Sequence, residues 1–370
     1  MSRRKKGEGS YGERIINGNK YRYYKFPDGK TVYGKTLKEV NEKRQAYSKL
    51  DVKSNSYTFV DYCYQWLKQK QRITQRTRDD YESEIELHIK PYSIGNRPIN
   101  SLTPQMFEKY LNELSEKYSH ATIKRTWAVV VQVIKYGMRL HEIPSFPLED
   151  INKPTEEMVA SKKKDTRFVT EEDVNAIYEE AKKEQYGNHG WLFIFIMYSG
   201  VRAAEAFNLK WKDVSSDYKK VHIRRSSQKV RQRDNKGNKT HKYKYVEKNT
   251  KTNAGDRIIP LPKRGTEALK KMAEREHTDE DLVFVNNFGR QYNHNMIIKP
   301  LKSILKHSDS KIKNYSPHDF RRGYGSILLS KGVNIAVISK LLGHSRTSIT
   351  FNVYTKAFDK DVEAAVKLFD

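Results

Sequence analysis

The chain has 370 residues, and its 71 Lys and Arg outnumber its 45 Asp and Glu, which gives a formal net charge of +26. That length suits two or three domains, and a positive excess of this size predicts a polyanionic partner such as nucleic acid. The single cysteine excludes an intrachain disulfide and a cysteine-based zinc site, and no apolar run is long enough to cross a membrane.

A lysine-rich surface without function is the alternative explanation of the charge. The 24 tyrosines favour DNA instead, because tyrosine beside Lys and Arg suits contacts with phosphates, sugars and bases. The basic start of the chain, Met1 to Lys6, has no apolar stretch behind it and therefore lacks the pattern of a signal peptide. We expect an intracellular protein.

Residues 1–52 are predicted to form a small DNA-binding domain. Two hairpin turns, Asn17-Gly18 and Asp28-Gly29, separate three short strands in which basic and aromatic residues alternate. A helix over Leu37–Leu50, capped by Thr36, follows them. Such a sheet can lie in the major groove of DNA, although an accessory fold with a basic face and no sequence preference is the alternative. The basic residues that we expect to contact DNA here are Arg22, Lys25 and Lys30.

Residues 57–150 are predicted to form a compact helical bundle, reached through a polar linker at 51–56. Prolines stand near the joints between its helices, as expected where helices begin or end. The predicted helices are Thr58–Gln71, Thr77–Ile89, Thr103–Lys117 and His120–Leu140. The bundle has basic surfaces, and the residues that we expect to contact DNA from them are Arg76, Lys124 and Arg125. A second linker, 152–165, follows.

Residues 165–370 are predicted to form the largest domain. A capping pattern at Thr170–Asp173 opens its first helix, and an apolar helix at 190–199 leads to Arg202. Three strand-like runs come next, and the rest is predicted to be helical. The runs are Val221–Arg225, Tyr243–Val246 and Arg257–Leu261. Between the first two lies a basic segment, 228–242, which we interpret as an extended hairpin or a loop. The residues that we expect to contact DNA from it are Lys229, Arg231 and Arg233.

Six residues of this domain form a candidate set for attacking a phosphodiester without a metal ion. A phosphodiester under attack gains charge on its non-bridging oxygens, so two arginines that each bind those oxygens suit the transition state. Arg202 and Arg321 are the candidate arginines. The leaving 5′ oxygen needs a proton, and Lys251, in a predicted turn between two strands, can donate it.

Tyr354 is the candidate nucleophile, because its phenolic oxygen can form a covalent bond with phosphorus. His318 can accept the phenol proton, and His344 can donate a hydrogen bond to the same phosphate. Neither carboxylates nor histidines have the spacing of a metal site, so we expect no metal and no other cofactor. For Lys251 alone there are rival lysines nearby, because an error in the predicted strand register would put one of them in its place. The rival lysines are Lys242, Lys244 and Lys248.

Taken in chain order, five motifs of this domain resemble those of the tyrosine recombinase (phage integrase) family. The resemblance is to the integrases of conjugative transposons and temperate phages. The matching stretches are Tyr198–Asp213, Thr250–Leu261, Pro317–Arg322, Leu341–Ser345 and Thr350–Tyr354. The resemblance implies that all six candidates are catalytic and that Glu205 is a buried carboxylate beside Arg202. It also implies a 3′-phosphotyrosine intermediate, a free 5′ hydroxyl as the next nucleophile, and no need for metal or ATP.

The resemblance further implies a multidomain fold, mainly α with small β-sheets. The N-terminal sheet and the helical middle are similar to the arm-binding and core-binding (SAM-like) domains of integrases, and a mixed α+β catalytic domain with a tail helix completes the chain. Two features depart from the family. Lys356 stands where many relatives place a histidine, and the basic insertion at 226–243 is not part of the general pattern.

The resulting hypothesis is a site-specific recombinase that cuts and rejoins DNA to integrate and excise a mobile genetic element or prophage. Expected partners are core-type and arm-type sites on double-stranded DNA, a homotetramer of the chain, and an excisionase or host DNA-bending protein. The expected location is the bacterial cytoplasm, with the nucleoid when DNA is bound. The alternatives are a chromosome- or plasmid-dimer resolvase, a type IB topoisomerase and a non-catalytic DNA-binding protein. The basic N-terminal sheet argues against the first, and the filled catalytic positions argue against the last.

The tail, Asp359–Asp370, is predicted to be an amphipathic helix. Its apolar residues at helical spacing are Val362, Ala365, Val366 and Phe369. A helix this short is not stable alone in water, so we expect it to dock, either on its own domain or on a neighbouring subunit.

Overall fold

A computed structural model describes residues 9–16, 19–26, 30–53, 57–143, 147–149, 151–159, 169–235, 237, 239–249, 253–311, 313–346 and 351. The chain divides into two compact units, Met1–Lys164 and Asp165–Asp370. It is mainly helical with small β-sheets, which confirms the predicted fold class. No helix in the described ranges has the length and apolarity needed to cross a membrane.

The N-terminal part of the first unit is a three-stranded antiparallel sheet with one helix packed against it. The elements are β1 (Ser10–Ile16), β2 (Asn19–Lys25), β3 (Thr31–Gly34) and α1 (Leu37–Lys53), and β2 is the central strand. Tyr24, Phe26 and Val40 form the core between sheet and helix. The strands and the helix were predicted, but the prediction that the helix ends at Leu50 and that a linker begins at residue 51 is wrong. Because residues 51–53 include no glycine or proline, α1 continues through them.

Four helices and a π-helical turn form most of the rest of the first unit. They are α2 (Phe59–Gln69), α3 (Gln75–Glu84), the π-helical turn Ile85–Ile89, α4 (Pro104–Ser115) and α5 (His120–Arg139). Their apolar faces meet in one core around Trp66, Phe107 and Tyr110. Thr58, predicted as the first residue of its helix, is the N-cap of α2, and Thr74 caps α3, which therefore begins two residues earlier than expected.

The second unit is built around a helix that is buried on nearly all sides. The helices are α6 (Glu171–Ala181), α7 (Gly187–Ser199), α8 (Ala203–Ala206), α9 (Lys263–Ala273), α10 (His294–His307), α11 (Pro317–Ser330) and α12 (Ile335–Leu342). Every residue from Leu192 to Met197 in α7 is buried, which explains why its sequence is apolar all round. Helices α6, α9, α10 and α11 pack around α7.

Two separate two-stranded antiparallel sheets lie in the described part of the second unit. They pair β4 (Lys220–Ile223) with β7 (Arg257–Pro260), and β5 (Arg225–Arg233) with β6 (Lys239–Asn249). The prediction of one strand over Val221–Arg225 is wrong, because Arg224 and Arg225 both bind the Asp213 carboxylate and the strand breaks there. The basic segment 228–242 is a hairpin rather than a loop, and its second strand is longer than the predicted Tyr243–Val246.

The prediction that the chain is helical after its last strand is wrong between Ala273 and His294. This segment is irregular and forms isolated bridges from Leu282 to Lys210 and from Val285 to Gln291. A turn reverses the chain at Gly289, whose φ of 72° favours glycine and cannot belong to an α-helix.

Candidate active site and nucleic-acid surfaces

Arg202 and Glu205 come together just after the central helix α7. Gly200 ends that helix with a φ of 64°, and a Cβ there would lie 2.5 Å from the ring of Tyr324, so the turn requires glycine. The backbone N–H of Arg202 donates to Glu205 Oε2 over 2.9 Å, and its Nη1 donates to Oε1 over 2.8 Å. The Glu205 side chain is 3% exposed and that of Arg202 is 44% exposed. A buried carboxylate therefore holds a guanidinium that remains accessible.

Arg321 and His318 lie one turn apart near the capped start of α11. Arg321 is 2% exposed, and its Nη1 donates to the carbonyl of Gly200 over 2.9 Å. Its Nη2 donates to the carbonyl of Leu342, at the end of α12. The two predicted phosphate-binding arginines thus differ in setting, because Arg202 is accessible whereas Arg321 is fixed by backbone carbonyls from two other segments.

His344 lies two residues after the last residue of α12, Leu342. Gly343 has a φ of 67°, and the N–H groups of Gly343 and His344 donate to the carbonyls of Lys340 and Ser339, each over 3.1 Å. This pair of bonds is the Schellman pattern of helix termination, in which glycine avoids a steric penalty. The Leu-Gly-His motif is therefore a helix end that fixes the backbone of the histidine.

Arg257, at the start of β7, is a site residue that the motifs alone did not assign. It is buried, and its Nε donates to the carbonyl of Leu341 over 2.7 Å. Its Nη2 donates to Glu205 over 2.9 Å and its Nη1 to the carbonyl of Gly255 over 3.2 Å. The two distant partners lie 84 and 52 residues away in sequence, so no local pattern could have revealed the role.

Glu205 stays ionised inside this cluster. Burial alone would raise the pKa of its carboxyl, but Arg257, and then Arg202 and Arg321, lower it to about 2. One buried carboxylate therefore faces three guanidinium groups, which leaves an excess of positive charge that a phosphodiester anion complements. In the part of the chain that the structure describes, no group of three or more His, Cys, Asp or Glu is arranged to hold a metal ion.

Both predicted catalytic histidines are neutral at neutral pH. Burial, followed by the charges of Arg321, Arg202 and Arg257, lowers the pKa of His344 to about 4. Burial, followed by nearby arginines, also lowers the pKa of His318. A neutral imidazole has one nitrogen that accepts and one that donates, which suits a proton acceptor at His318 and a hydrogen-bond donor at His344.

We expect His344 to make the fold less stable in mild acid. Its pKa falls from an ordinary 6.5 to about 4 on folding, so between these values the unfolded chain binds a proton that the folded chain does not. This contribution is absent above pH 6.5 and destabilises the fold progressively as the pH decreases toward 4. In urea unfolding at pH 7.5 and 4.5, His344→Gln should lose less stability on acidification than the wild type. The difference should be about 1 kcal/mol, because the partly exposed His344 keeps only part of the stability change that its pKa shift implies.

Equal losses of stability on acidification in His344→Gln and in the wild type would contradict a neutral, partly buried His344.

Lys251 and Tyr354 lie outside the described residues, as does the tail segment 359–370, so these predictions stay predictions. Around Lys251 the nearest described parts are the end of β6 at Asn249 and a short helix, Asn253–Gly255. Before Tyr354 the nearest described residue is Phe351. The rival lysines Lys242, Lys244 and Lys248 all belong to β6, in the hairpin.

The basic residues predicted to contact DNA from the N-terminal sheet lie on different faces. Side chains alternate along a strand, so Arg22 is on the same face as the buried Tyr24, whereas Lys25 is on the other. Arg22 pairs across the strands with Glu13, at 3.2 Å. The strand register places Arg14, which was not among the predicted contacts, on the open face with Lys25.

Three other predicted DNA contacts of the first unit bind groups of the protein itself. Lys30 donates to a backbone carbonyl of the helical bundle over 2.5 Å, so it takes part in the packing of this unit. Arg125 binds the buried Glu84 at 2.5 Å while 64% of its side chain stays exposed. Arg76 pairs within its own helix and is likewise largely exposed, and Lys124 is exposed. All of these except Lys30 are accessible to a phosphate backbone.

The hairpin of β5 and β6 has one basic and aromatic face. Its register pairs Lys229 with Tyr245 and Arg231 with Tyr243, so these four side chains share a face. Lys229 Nζ and Arg231 Cζ lie 4.1 and 5.4 Å from the centre of the Tyr243 ring. Arg233 lies near the tip, at the end of β5. Cations beside an aromatic ring suit contacts with DNA phosphates and sugars.

Comparisons with known proteins cover most of the chain. Residues 167–361 match the family model described as the phage integrase family, and residues 58–115 match the phage integrase N-terminal SAM-like domain. A tyrosine recombinase XerC-like protein of Caldanaerobacter subterraneus is 26% identical over 371 residues, covering 91% of this chain and 90% of that protein.

Two solved structures are similar in fold. The Tn1549 transposon integrase in complex with a circular intermediate DNA has a TM-score of 0.67 at 16% identity, covering 85% of this chain and 100% of that one. A lambda integrase tetramer bound to a Holliday junction has a TM-score of 0.57 at 15% identity, covering 92% and 94%.

Proposed function

Since this chain belongs to the phage integrase family of site-specific tyrosine recombinases, which break and rejoin DNA, we propose that it integrates and excises a mobile genetic element. The observation that carries the chemistry is the arginine cluster around the ionised Glu205. The likeness to the integrase of a transposon supports the role in a mobile element.

In the proposed first step, the phenolic oxygen of Tyr354 attacks the scissile phosphorus. A bond forms between that oxygen and phosphorus, and the bond from phosphorus to the 5′ oxygen breaks, which leaves a 3′-phosphotyrosine. The phenol proton passes to neutral His318, and Lys251 gives a proton to the leaving 5′ oxygen. Because the phosphotyrosine ester keeps the energy of the original bond, the 5′ hydroxyl of another strand can reverse these steps and rejoin the DNA.

Arg202, Arg321 and His344 stabilise the charge that develops on the non-bridging oxygens. The guanidinium of Arg321 is held by two carbonyls before DNA arrives, so it needs no reorganisation during the reaction. Arg202 is accessible and approaches the phosphate from the solvent side. A neutral His344 adds a hydrogen bond without adding charge.

We assign a DNA contact to each predicted domain. Residues 57–150, which include the SAM-like match, bind the core site, and residues 165–370 cut it. Residues 1–52 bind a second, arm-type site through the open face of the sheet. The hairpin adds contacts through Lys229, Arg231 and Arg233. Four subunits act together on two sites, and an excisionase or a DNA-bending protein sets the direction. The similar fold of a lambda integrase tetramer bound to a Holliday junction supports the tetramer.

Deleting residues 1–52 should separate these two kinds of site. We expect the shortened chain to cleave core-site DNA at the full rate, because the candidate active site lies in the second unit. It should lose at least about tenfold in affinity for arm-type DNA, because phosphate contacts dominate binding. Footprinting with both kinds of DNA measures the change.

A substitution keeps the domain in place and tests the assigned face. Arg14→Ala should weaken arm-type binding more than Arg22→Ala, because Arg22 lies on the helix side of the sheet. An unchanged footprint after the deletion would show that the domain does not bind DNA.

A strand-transfer assay with the ends of the element tests the function as a whole. Recombinant products on two joined sites support an integrase. Relaxation of supercoiled DNA without recombinants would indicate a type IB topoisomerase. Recombination restricted to directly repeated sites on one circular chromosome or plasmid would indicate a dimer resolvase, and binding without cleavage would indicate a non-catalytic protein.

A further inference from the structure

The last four carbonyl groups of α12 are all hydrogen-bonded. Such groups have no partner inside their own helix and need one elsewhere when they are not in water. The Schellman pattern provides partners for Ser339 and Lys340, and two guanidinium groups provide the others. Arg257 binds the carbonyl of Leu341, and Arg321 binds that of Leu342. The helix end that carries His344 is therefore fixed by two arginines.

The two arginines differ in what else they bind. Arg321 is the proposed phosphate ligand. The other hydrogen bonds of Arg257 go to the protein as well, with Nη1 and Nη2 3.3 and 2.9 Å from the Glu205 carboxylate and Nη1 3.2 Å from the carbonyl of Gly255. Glu205 in turn holds Arg202. One buried side chain thus connects three segments that each adjoin a proposed catalytic residue.

We propose that Arg257 is a positioning residue that sets the distance between Arg202 and His344, a role that rests on the proposed function. It acts through Glu205 on one side and through the end of α12 on the other, and it does not touch DNA. Its planar fork reaches the carboxylate and the carbonyl of Leu341 at the same time, which the single ammonium of a lysine cannot do.

Gly343 shows how closely this contact is packed. A Cβ at Gly343 would lie 2.7 Å from the carbonyl oxygen of Ala254 and 2.9 Å from Nη1 of Arg257. Gly332 has a similar φ, 78°, but a Cβ there would meet nothing within 4 Å. Both glycines therefore have a positive φ, but only at Gly343 would an added Cβ also collide with Arg257.

Arg257→Lys tests the proposal on core-site DNA that is nicked beside the scissile phosphate, so that the covalent protein–DNA adduct accumulates. We expect single-turnover adduct formation to fall about 10²-fold, the loss that a misplacement of about 1 Å produces. DNA affinity should stay within about twofold, because the side chain is buried away from phosphate contacts. Arg264→Lys is the matched control, since Arg264 also bonds to side chains of its own unit but to none of the proposed catalytic residues. It should cleave like the wild type.

A second pair of variants tests whether Arg257 is a positioning residue if Arg257→Lys does not fold. Gly343→Ala should lose cleavage as Arg257→Lys does, without any change of charge. Gly332→Ala should keep it within about twofold, because it shares the strain of a positive φ but not the crowding. Equal cleavage by Gly343→Ala and Gly332→Ala would overturn the proposal.

The pKa of His344, followed by NMR of its ring protons, is a readout that a merely structural loss would not move. Arg257→Lys keeps the charge, so the pKa should stay low while cleavage falls, whereas in Arg257→Gln the pKa should rise. An unchanged pKa in Arg257→Gln would overturn the placement of the arginine. Full cleavage by Arg257→Lys, with an adduct that depends on Tyr354, would refute this inference and leave the proposed function intact. If the wild type forms no adduct, or if Tyr354→Phe still forms one, both this inference and the proposed function are wrong.

Discussion

Tyr354→Phe should abolish the covalent protein–DNA adduct while leaving DNA binding unchanged. The substitution removes one oxygen, the atom that we propose to bond to phosphorus, and keeps the ring. Loss of a covalent nucleophile lowers the rate of such reactions by at least about 10⁴-fold. The surrounding groups still bind the DNA, but no side-chain oxygen is left to attack the phosphorus. Nicked core-site DNA, which traps the adduct, and denaturing gels measure the effect directly.

Two controls make this result specific. Tyr218→Phe removes a hydroxyl from another tyrosine of the second unit, one that packs edge-on against Trp211, and it should form the adduct at the wild-type rate. Gel-shift titration of Tyr354→Phe should give the wild-type affinity. Adducts that persist in Tyr354→Phe would assign the nucleophile to a different residue and would remove the basis of the proposed mechanism.

Arg202→Lys should lower cleavage by about 10² to 10³-fold, the usual cost of removing one donor from a transition-state site. The lysine keeps the positive charge and can still pair with Glu205, but it loses the fork that spans carboxylate and phosphate. DNA affinity should change by less than about threefold, because the other phosphate contacts remain. Cleavage and affinity are measured on the same core-site DNA.

The hairpin offers the matched comparison, because Arg231→Lys changes the same chemical group at a proposed phosphate contact that is not one of the six proposed catalytic residues. For that variant we expect cleavage at saturating protein to equal that of the wild type. If Arg202→Lys loses cleavage and affinity in equal measure, Arg202 is an ordinary phosphate contact and not a transition-state ligand.

Most helices could be predicted because their beginnings carry local signals. Thr58 and Thr170 each have an aspartate three residues later, and both form the reciprocal capping bonds that this spacing favours. The candidate catalytic residues could also be proposed from the sequence, because each stands in a short motif. A local signal was enough wherever the determining contacts lie within a few residues.

Features that depend on distant contacts could not be predicted in this way. The sequence left open whether 228–242 is a hairpin or a loop and predicted a strand only at Tyr243–Val246. The full length of β5 and β6 depends on cross-strand pairing and on the anchor at Asp213. The role of Arg257 depends on partners 52 and 84 residues away. The difference between Arg22 and Lys25 follows from alternation, but only the position of α1 shows which face of the sheet is covered.

The place where β6 ends has a consequence for protein engineering. The strand stops at Asn249, so Lys251 is tethered to the hairpin by a chain of two residues, which can span about 7 Å at most. A change that shifts the base of the hairpin therefore shifts the anchor of the proposed proton donor as well. Grafting a different hairpin to alter the target sequence will in general alter the rate of strand cutting, and residues 250–252 must be optimised together with any new DNA-reading surface.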